Sequence, residues 1–421
     1  MKKSLVLLIL AVVFCVPSFV QAQQADAKTI QLARVFSKDL FEYNGVAYAR
    51  PLPIITNAST NAGFFSDAYV PAKVNKPYFK IKLNGMMGFV NDDLKSFTTK
   101  IPMKAYSPTD MLSYVKLSYE GGQLKYNITD TVGLFEYLLL NLIYDGVNSG
   151  SLDLPKTGAT ALGSKEVEYI YLPSDTMVSL FKRHALYSLL PEGARDTVAG
   201  LLKQFPTSFP MTSGSNISTL LLGVPQIEIG SLFGTELLLR LIPPLDLGKT
   251  FGKFSFWGVG LKHSISQYFN RGRRDRLFDM AIQGVYQGTN LQNTIGITGA
   301  QLTADASIYN INLHLSKELN DWFTVYSGIS WESININMQY VYYLPVELQR
   351  QLGLLEAGKD YPTPGYPGDQ EPSTVKMKLI EEQVKWTAGC KFDFNDFGIC
   401  LDYSVSKFNI LSLGMEYTFN K

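Results

Sequence analysis

The chain has 421 residues, of which 46% are hydrophobic, 13% aromatic and 18% charged, and its formal net charge is +1. A near-neutral chain offers no basic surface, which excludes nucleic acid as a partner. No run of about 18 apolar residues follows the first 22 residues, which excludes helical membrane spans. Few charges and many aromatics are typical of a surface that faces lipid, and the length suits two ordinary domains or one large barrel.

Residues 1–22 have the organisation of an export signal. Met1-Lys-Lys-Ser4 is positively charged, residues 5–13 are apolar, and Val20-Gln-Ala22 ends in a small residue. The apolar run is too short for a permanent anchor. We therefore predict a cleaved signal, with cleavage after Ala22, and export of the mature chain.

Residues 23–60 do not alternate in polarity. Between Ala27 and Phe41 apolar residues recur with helical spacing, and then Gly45 and Pro51-Leu-Pro53 interrupt the pattern. The segment is either a frayed N-terminus or a plug folded against the interior of a barrel. Because it is too apolar to stay solvated, the plug is favoured.

Alternation begins at Tyr78–Phe89, where apolar side chains share one face and polar ones the other, as in a half-buried strand. Tyr114–Ile128 has the pattern of a hairpin turning at Gly121-Gly122.

Residues from about 130 to 225 are rich in leucine but lack alternation, which predicts a large helical insertion between strands. Leu134–Ile143 is an almost unbroken apolar run, helices are expected at Thr176–Leu190 and Ala194–Phe205, and a strand is expected at Glu166–Leu172. We expect these helices to pack on each other as a cap. A further hypothesis is that the cap forms an apolar access groove.

Alternation resumes at about residue 226. Strands are predicted at Gln226–Leu232, Thr235–Ile242, Phe254–Ile265, Phe278–Gln287, Tyr309–Ser316, Trp322–Trp331, Met377–Phe394, Phe397–Val405 and Leu411–Phe419. Arg271–Arg276 is interpreted as a solvated basic turn. A long loop, rich in Pro, Gly and Tyr, covers residues of about 341–375, with a helical piece at Val346–Leu355.

The last strand and the connections indicate an outer-membrane barrel. Leu411–Phe419 alternates strictly and ends in aromatics, as does a closing strand that the barrel-assembly machinery binds. Connections at 231–234, 270–277, 319–321 and 395–396 are short and fall on one side. Those at 130–225, 289–306 and 341–375 are long and fall on the other side, as in outer-membrane barrels. The short connection 406–409 is the exception.

Two cysteines follow the signal, and they lie on opposite faces of their strands. Cys390 shares a face with Phe392, whereas Cys400 lies opposite Ile399 and Leu401. Side chains on opposite faces cannot bridge. We predict two free thiols and no metal site.

Several short matches resemble the long-chain fatty-acid transporter (FadL-like) superfamily, and an uncharacterised branch of it in particular. These matches are Tyr48 with Pro51-Leu52, Asn61-Ala-Gly-Phe-Phe65 with Ala68, Gly234-Thr-Glu236 with Arg240 and Pro243, Gly258-Val-Gly260 with Lys262-His263, and Lys317-Glu318 with Tyr326-Ser-Gly328.

The resemblance implies an all-β membrane fold in the outer membrane of a Gram-negative bacterium. Residues 61–421 would form one antiparallel barrel of about 14 strands in contact with membrane lipids, with residues 23–60 as a hatch. The implied function is to bind or pass a small apolar molecule, such as one that carries a carboxylate, without catalysis, cofactor or metal.

Charged residues on strands give candidate ligand-binding positions. Glu236 and Arg240 share a strand face opposite leucines, and lipid-facing charge is costly, so both are expected to face the lumen. Four residues place them about 13 Å apart. Each should therefore pair across strands, with Lys262 as a candidate. These charges form a stabilising polar network, or Arg240 or Lys262 holds a substrate carboxylate.

Two other function classes stay open. His314 shares its face with Asn310, Asn312 and Ser316, which would suit a barrel hydrolase, but no nucleophile motif accompanies them and we expect no enzyme. A structural or adhesive barrel would use its large external loops to bind a protein, through the tyrosines of 340–343 and 360–366.

Overall fold

A computed structural model describes residues 24–120, 123–248, 252–269, 277–295 and 300–420. The predicted export signal, the Gly121-Gly122 turn and the basic turn Arg271–Arg276 lie outside the described residues. No helix within the described ranges is long and apolar enough to cross a bilayer.

The helices of the described residues lie before and between the strands. They are α1 (Ala27–Ala49), α2 (Pro51–Thr60), α3 (Pro108–Met111), α4 (Thr131–Asn148), α5 (Ser174–Arg183), α6 (Ala185–Leu189), α7 (Glu192–Gln204) and α8 (Val346–Gln351). The Asp26 side chain caps α1 by accepting a hydrogen bond from the Lys28 amide at 2.8 Å. Gly45 does not interrupt α1, and Pro51 begins α2, at a position where a helix needs no amide donor.

The strands of the described residues are β1 (Tyr78–Phe89), β2 (Ser96–Thr98), β3 (Val115–Glu120), β4 (Gln123–Ile128), β5 (Thr157–Ala159), β6 (Tyr169–Tyr171), β7 (Ser208–Pro210), β8 (Thr219–Leu232), β9 (Thr235–Asp246), β10 (Lys253–Ser264), β11 (Asp279–Ile295), β12 (Ala300–Asn320), β13 (Phe323–Tyr342), β14 (Ser373–Phe394), β15 (Phe397–Val405) and β16 (Asn409–Phe419).

Ten of these strands close into one antiparallel barrel, in the order β1-β16-β15-β14-β13-β12-β11-β10-β9-β8. The prediction of a closed barrel is confirmed, whereas the prediction of about 14 strands is not. The hairpin within Tyr114–Ile128 forms, but β3 and β4 pair only with each other. Each has six residues, which is too short for a membrane strand of about 9–11. The insertion between β1 and β8 therefore covers residues 90–218, more than the predicted 130–225.

The barrel has two ends. The cap end carries the connections 90–218, 343–372 and 406–408. The terminal end carries the turns 233–234, 321–322 and 395–396, the start of β1 and the end of β16. The expected asymmetry of connections is present, with one correction. Residues 289–306, predicted as a long loop, belong mostly to β11 and β12, which leave only 296–299 between them.

The reason for that correction is that the barrel wall has two levels with opposite polarity. In the lower level, next to the terminal end, exposed side chains are apolar: Phe79, Ile81, Leu83, Leu239, Leu261, Ile311, Leu313, Ile329, Val384, Leu401, Leu413 and Met415. The buried side chains there are polar: Asn84, Gln226, Glu236, Arg240, Gln283, Asn310, Asn312, Glu332, Lys385, Asp402 and Glu416. Apolar outside and polar inside is the pattern of a barrel wall in lipid.

In the upper level, formed by the cap-end halves of β11–β14, the two faces exchange character. Buried side chains are now apolar: Leu291, Leu302, Ala304, Ala306, Ile308, Ile334, Ile336, Met338, Tyr340, Val375 and Leu379. Outward side chains are polar: Gln292, Thr303, Asp305, Asn335, Asn337, Gln339, Lys376 and Lys378. This level has the polarity of a domain wall in water.

An outward-facing aromatic ring separates the levels, and its members are Trp257, Tyr286, Tyr309 and Trp331. Ring centroids lie 5.4 Å apart for Trp257–Tyr286 and 4.9 Å apart for Tyr286–Tyr309. From Tyr309 down to Leu319 the wall covers about 25 Å of the barrel axis, at a rise of about 3.3 Å and a tilt of about 40°. That height matches the apolar band of an outer-membrane barrel.

The cap packs around its own apolar core. Helices α1, α4, α5, α7 and α8 contribute buried residues to one cluster, which includes Phe36, Leu142, Phe181 and Leu348. The expected self-packed cap is therefore present, and α1 is part of it. Helix α2 instead lies inside the upper level, where all ten of its residues are buried and it packs against β1, β8 and β13.

The two cysteines are free thiols, as predicted. Cys400 points inward and is buried, whereas Cys390 is half-buried on the other face of the neighbouring strand.

Candidate functional site in the barrel lumen

The four candidate residues predicted from the sequence all point into the lower lumen and are buried. Glu236 is 1% exposed, Arg240 and Lys262 are each 2% exposed, and His314 is 0% exposed. Strand alternation explains their direction, because their chain neighbours Leu239, Leu261 and Leu313 face outward.

Glu236 lies at the centre of the first ion-pair cluster. Lys262 is its direct cross-strand partner, as expected, with Nζ 2.6 Å from Glu236 Oε1. Lys80 Nζ lies 3.2 Å from both Glu236 and Glu228, and the Tyr78 hydroxyl donates to Glu236 at 2.6 Å. Several donors thus compensate one buried carboxylate, as burial of a charge requires.

A second cluster lies on the other side of the lumen, and sequence analysis did not select it. Lys385 Nζ lies 2.5 Å from Glu332 Oε1, and Lys391 Nζ lies 2.6 Å from Glu416 Oε1. The available signal was a charge on the non-lipid face of an alternating strand, as at Glu416. Such charges recur on many strands, so the pattern could not single out members of a site.

Arg240 binds the end of the plug helix. Its Nη1 donates to the Thr60 carbonyl at 2.6 Å and its Nη2 to the Ala62 carbonyl at 2.9 Å. Lys385 Nζ donates to the carbonyl between them, that of Asn61, at 2.6 Å. The last carbonyls of a helix lack internal donors and carry partial negative charge, so two cations suit the C-terminal end of α2.

The same kind of contact continues below the helix, where residues 61–68 have no regular structure. Lys82 Nζ donates to the Gly63 carbonyl, Gln226 Nε2 to Phe64 and Lys262 Nζ to Asp67, each at 3.4 Å. We call the five donors the carbonyl clamp: Lys82, Gln226, Arg240, Lys262 and Lys385. They come from β1, β8, β9, β10 and β14, so the segment they bind must lie inside the barrel.

His314 and its neighbours also contact this segment. The imidazole stacks on Phe65 with ring centroids 4.2 Å apart, and its Nδ1 lies 2.8 Å from Asn312 Oδ1. The Ser316 hydroxyl donates to Asp67 Oδ1 at 2.8 Å and accepts from the Ala68 amide at 2.9 Å. The hydrogen bonds of Ser316 thus serve the plug segment.

Above the clamp lies an apolar chamber, formed by the inner face of the upper level and filled by α2. Phe41 of α1 closes its top, with ring centroids 4.9 Å from Tyr340 and 4.8 Å from Tyr342. A cavity of about 50 Å³ lies beside this contact. Its lining includes Leu40, Phe41, Tyr48, Phe97, Met211 and Tyr342.

The wall beside the chamber is split between β8 and β9. These strands pair from Leu232/Thr235 only as far as Gln226/Arg240. Beyond that row, within the described part of both strands, β8 pairs only with β1 and β9 only with β10. Pro225 stands at the start of the split on β8, with Pro243 and Pro244 on β9. Proline has no amide to donate, so these residues cannot continue the ladder.

At the terminal end the lumen opens into a polar cavity of about 700 Å³. Its lining carries both charge signs, including Lys76, Lys80 and Lys391 beside Asp67 and Asp393. Charges of both signs favour water over an apolar molecule here.

The sequence matches one family model over almost its whole length. Residues 1–419 match the model described as a family of unknown function, DUF6588. The chain belongs to the DUF6588 family. No curated protein matches this DUF6588 sequence.

Solved structures give distant likenesses to this DUF6588 chain. The attachment invasion locus protein Ail of Yersinia pestis is 12% identical, with 44% of this chain and 95% of that chain covered and a TM-score of 0.22. The translocator domain of the autotransporter NalP from Neisseria meningitidis is 7% identical, with coverages of 89% and 99% and a TM-score of 0.21. A FadL homologue of Pseudomonas aeruginosa is 7% identical, with coverages of 82% and 90% and a TM-score of 0.21. TM-scores of this size carry no argument about function.

Proposed function

We propose that this protein is an outer-membrane β-barrel of a Gram-negative bacterium that binds or passes a small hydrophobic, fatty-acid-like molecule without catalysis. The observation that carries the proposal is the split between β8 and β9. It lies beside the apolar chamber and begins at the level of the aromatic ring. The apolar belt of the lower level supports the membrane location, and the large cap connections support a cap that faces outward.

The different polarity of the two levels of the wall supports a particular route for an apolar molecule. From the cap cavity downward, the side chains of the chamber are mostly apolar as far as the clamp, and the buried polar pair Thr289–Asn57 is satisfied by its own hydrogen bond of 3.0 Å. Below it, the lower lumen holds buried ion pairs and residues 61–68, which an apolar molecule cannot displace without leaving charges unpaired. The split opens above this barrier: Leu241, next to Arg240 on β9, faces Trp257 of the aromatic ring in the β9–β10 register. The molecule therefore leaves sideways, into the outer leaflet, after α2 shifts.

A binding experiment tests the chamber. Phe41→Ala enlarges the cavity at the top of the chamber, and Tyr361→Ala, a matched control, truncates an aromatic that is 57% exposed. We expect saturable binding of N-phenyl-1-naphthylamine by the detergent-purified protein, displaced by a long-chain fatty acid and about 3- to 10-fold tighter in Phe41→Ala. Equal, non-saturable fluorescence in all three proteins would contradict the proposal.

Two glycines allow a matched test of the split. Gly223 lies in the part of β8 that pairs with β1 but not with β9, whereas Gly284 lies in β11, which is paired on both sides, and a Cβ added at either meets no atom within 4 Å. Gly223→Trp places an indole at the split, whereas Gly284→Trp places it on intact wall. We expect the first variant alone to slow the transfer of a fluorescent fatty acid to vesicles containing the barrel. Equal rates for the two variants would exclude the lateral route.

A further inference from the structure

The path of the chain before β1 runs the whole length of the lumen. At the cap end, the Ala25 amide donates to the Leu352 carbonyl at 3.0 Å and the Asp26 amide to Gln204 at 3.2 Å. At the terminal end, the Ser231 hydroxyl in the region of the β8–β9 turn donates to the Pro71 carbonyl. Between these contacts lie α1, α2 and the segment bound by the clamp.

This path means that one closed wall surrounds a single polypeptide that enters at the terminal end and emerges at the cap end. Either the segment passes through the finished barrel, or the wall closes around it. In both cases the lower lumen holds a non-helical chain whose N-terminal side points toward the cap.

The chemistry of the clamp fits such a chain. Its hydrogen bonds to residues 60–67 go to six backbone carbonyls, those of Thr60, Asn61, Ala62, Gly63, Phe64 and Asp67. Every residue carries a backbone carbonyl, so these hydrogen bonds do not depend on the sequence of the bound segment. One side chain of the segment is also contacted, because the Arg240 guanidinium lies over the Phe64 ring at 4.0 Å from its centroid. Four of the five donors are cations, and charge-assisted hydrogen bonds are stronger than neutral ones.

We propose that the lower lumen is a polypeptide-binding site that recognises backbone carbonyls, and that it carries the N-terminal segment of its own chain to the outer face. Residues 24–26, at the start of the described chain, are then displayed outside the cell. The proposal does not depend on the passage of a hydrophobic molecule, which uses the chamber above the clamp.

Epitope tags inserted in the full chain test the direction of the path. One tag is placed between Gln24 and Ala25, a second at Gly358 in the cap-end loop, and a third between Asn395 and Asp396 in a terminal-end turn. We expect antibodies to label the first two tags on intact cells and the third only after permeabilisation. A tag at Gln24 that is labelled only after permeabilisation overturns the proposal, whichever control tag is exposed.

Two buried lysines of β14 test the clamp. Lys385 binds a carboxylate and the Asn61 carbonyl, whereas Lys391 has only carboxylate partners among the described hydrogen bonds and ion pairs. We expect Lys385→Met to reduce display of the Gln24 tag at least fivefold, and Lys391→Met to leave it within twofold of wild type. Folded barrel is quantified for each variant by its heat-dependent shift on a gel, and display is normalised to it. Equal normalised display in the two variants overturns the role of the clamp.

The segment itself provides the complementary variant. The Asn61 side chain accepts a hydrogen bond from Gln287 at 2.9 Å, while its carbonyl binds Lys385. Asn61→Ala removes the first contact and keeps the second, so we expect wild-type display. A loss of display equal to that of Lys385→Met would show that side chains, and not the backbone, are recognised.

Discussion

Arg240 faces the lumen as predicted, but the groups that it binds in the fold belong to the plug. Its position on a lipid-protected strand face predicts a lumen charge, and the lumen is where it lies. Each of its three guanidinium nitrogens, however, already donates a hydrogen bond, one to Gln226 and two to carbonyls at the end of α2. A substrate carboxylate would have to displace these contacts, so Arg240 is better described as an anchor of the plug.

Removing that anchor should weaken the fold. Arg240→Met leaves two buried carbonyls without their donors, and each unsatisfied group costs about 1–3 kcal/mol. We expect a loss of about 2–4 kcal/mol and a clearly lower temperature for the heat-dependent gel shift of the barrel. Arg183→Met, at an exposed position at the end of α5, should change stability by less than about 0.5 kcal/mol. Similar shifts in both variants would contradict the anchoring role.

A carboxyl pair in the cap gives a pH prediction. Burial, followed by the charge of Asp39 on α1 and a hydrogen bond with it, raises the pKa of Glu136 on α4 from 4.5 to about 7. Burial and then the charge of Glu42 raise the pKa of Asp39, while the hydrogen bond with Glu136 and then the charge of Lys38 oppose the shift. Asp130 is a further acidic neighbour of Glu136. The folded cap therefore holds a proton that the unfolded chain releases.

The sign follows from this difference in proton binding. Because the folded-state pKa of Glu136 is the higher one, its contribution is present below pH of about 4.5 and is lost as pH rises to about 7. Screening of this half-exposed group limits the change to about 1 kcal/mol. We expect proteolysis of the cap to be faster at pH 8 than at pH 5 in wild type and nearly pH-independent in Glu136→Gln. Glu42→Gln, an exposed change on α1, should retain most of the pH dependence.

At the scale of the element, alternation of polarity predicts one part of β12 and misses the other. The stretch Tyr309–Ser316 marks a strand with its apolar side outward, and the structure confirms it. Residues 300–308 continue the strand, but Leu302, Ala304 and Ile308 face inward, while Thr303 and Asp305 face outward. The apolar side chains thus move from the outward to the inward face of the same strand, and in the sequence this reversal looks like the end of the strand. The strand instead continues, and under the proposed membrane location this is the point at which the surroundings of the wall change from lipid to water.

The same reasoning explains which parts of the site were predictable. The Glu236–Lys262 pair follows from strand faces and the cost of lipid-facing charge, which are local properties. The carbonyl clamp could not be predicted, because its ligand is the backbone of residues 60–67. Every residue has a backbone carbonyl, so the sequence does not indicate which carbonyls are bound. The count of ten strands also depends on which hairpins join the wall, as β3–β4 shows.

Under the proposed membrane location, the reversal of polarity between the two wall faces predicts where the membrane ends, and this can be measured. Ile311 is 53% exposed on the outward face of the lower level, and Gln339 is exposed on the outward face of the upper level. Lysine at Ile311 should cost about 2–4 kcal/mol if that face meets the bilayer core, whereas Gln339→Lys should cost nearly nothing. Urea unfolding in lipid vesicles measures both values. Equal costs would mean that the aromatic ring does not mark the edge of the lipid.

At the scale of the whole molecule, strand number and plug are physically linked. A barrel of about eight strands has an interior that side chains alone can fill, and much larger barrels leave an aqueous channel. Ten strands leave room for one additional segment. Here residues 51–68 occupy it, with an apolar helix in the upper level and an irregular chain in the polar lower level.

Because the plug fills the lumen of the ten-stranded barrel, we can predict the ion conductance of the barrel. In planar bilayers we expect wild type to conduct almost no current, because the clamp and the ion pairs hold the plug in place. The double variant Arg240→Met, Lys385→Met removes the donors of three consecutive carbonyls at the end of α2, so we expect brief openings of a narrow pore. Lys391→Met, which disturbs only carboxylate pairs, should remain closed. Steady conduction by wild type would show that the segment leaves the lumen in a membrane, and the anchoring role of the clamp would then have to be abandoned.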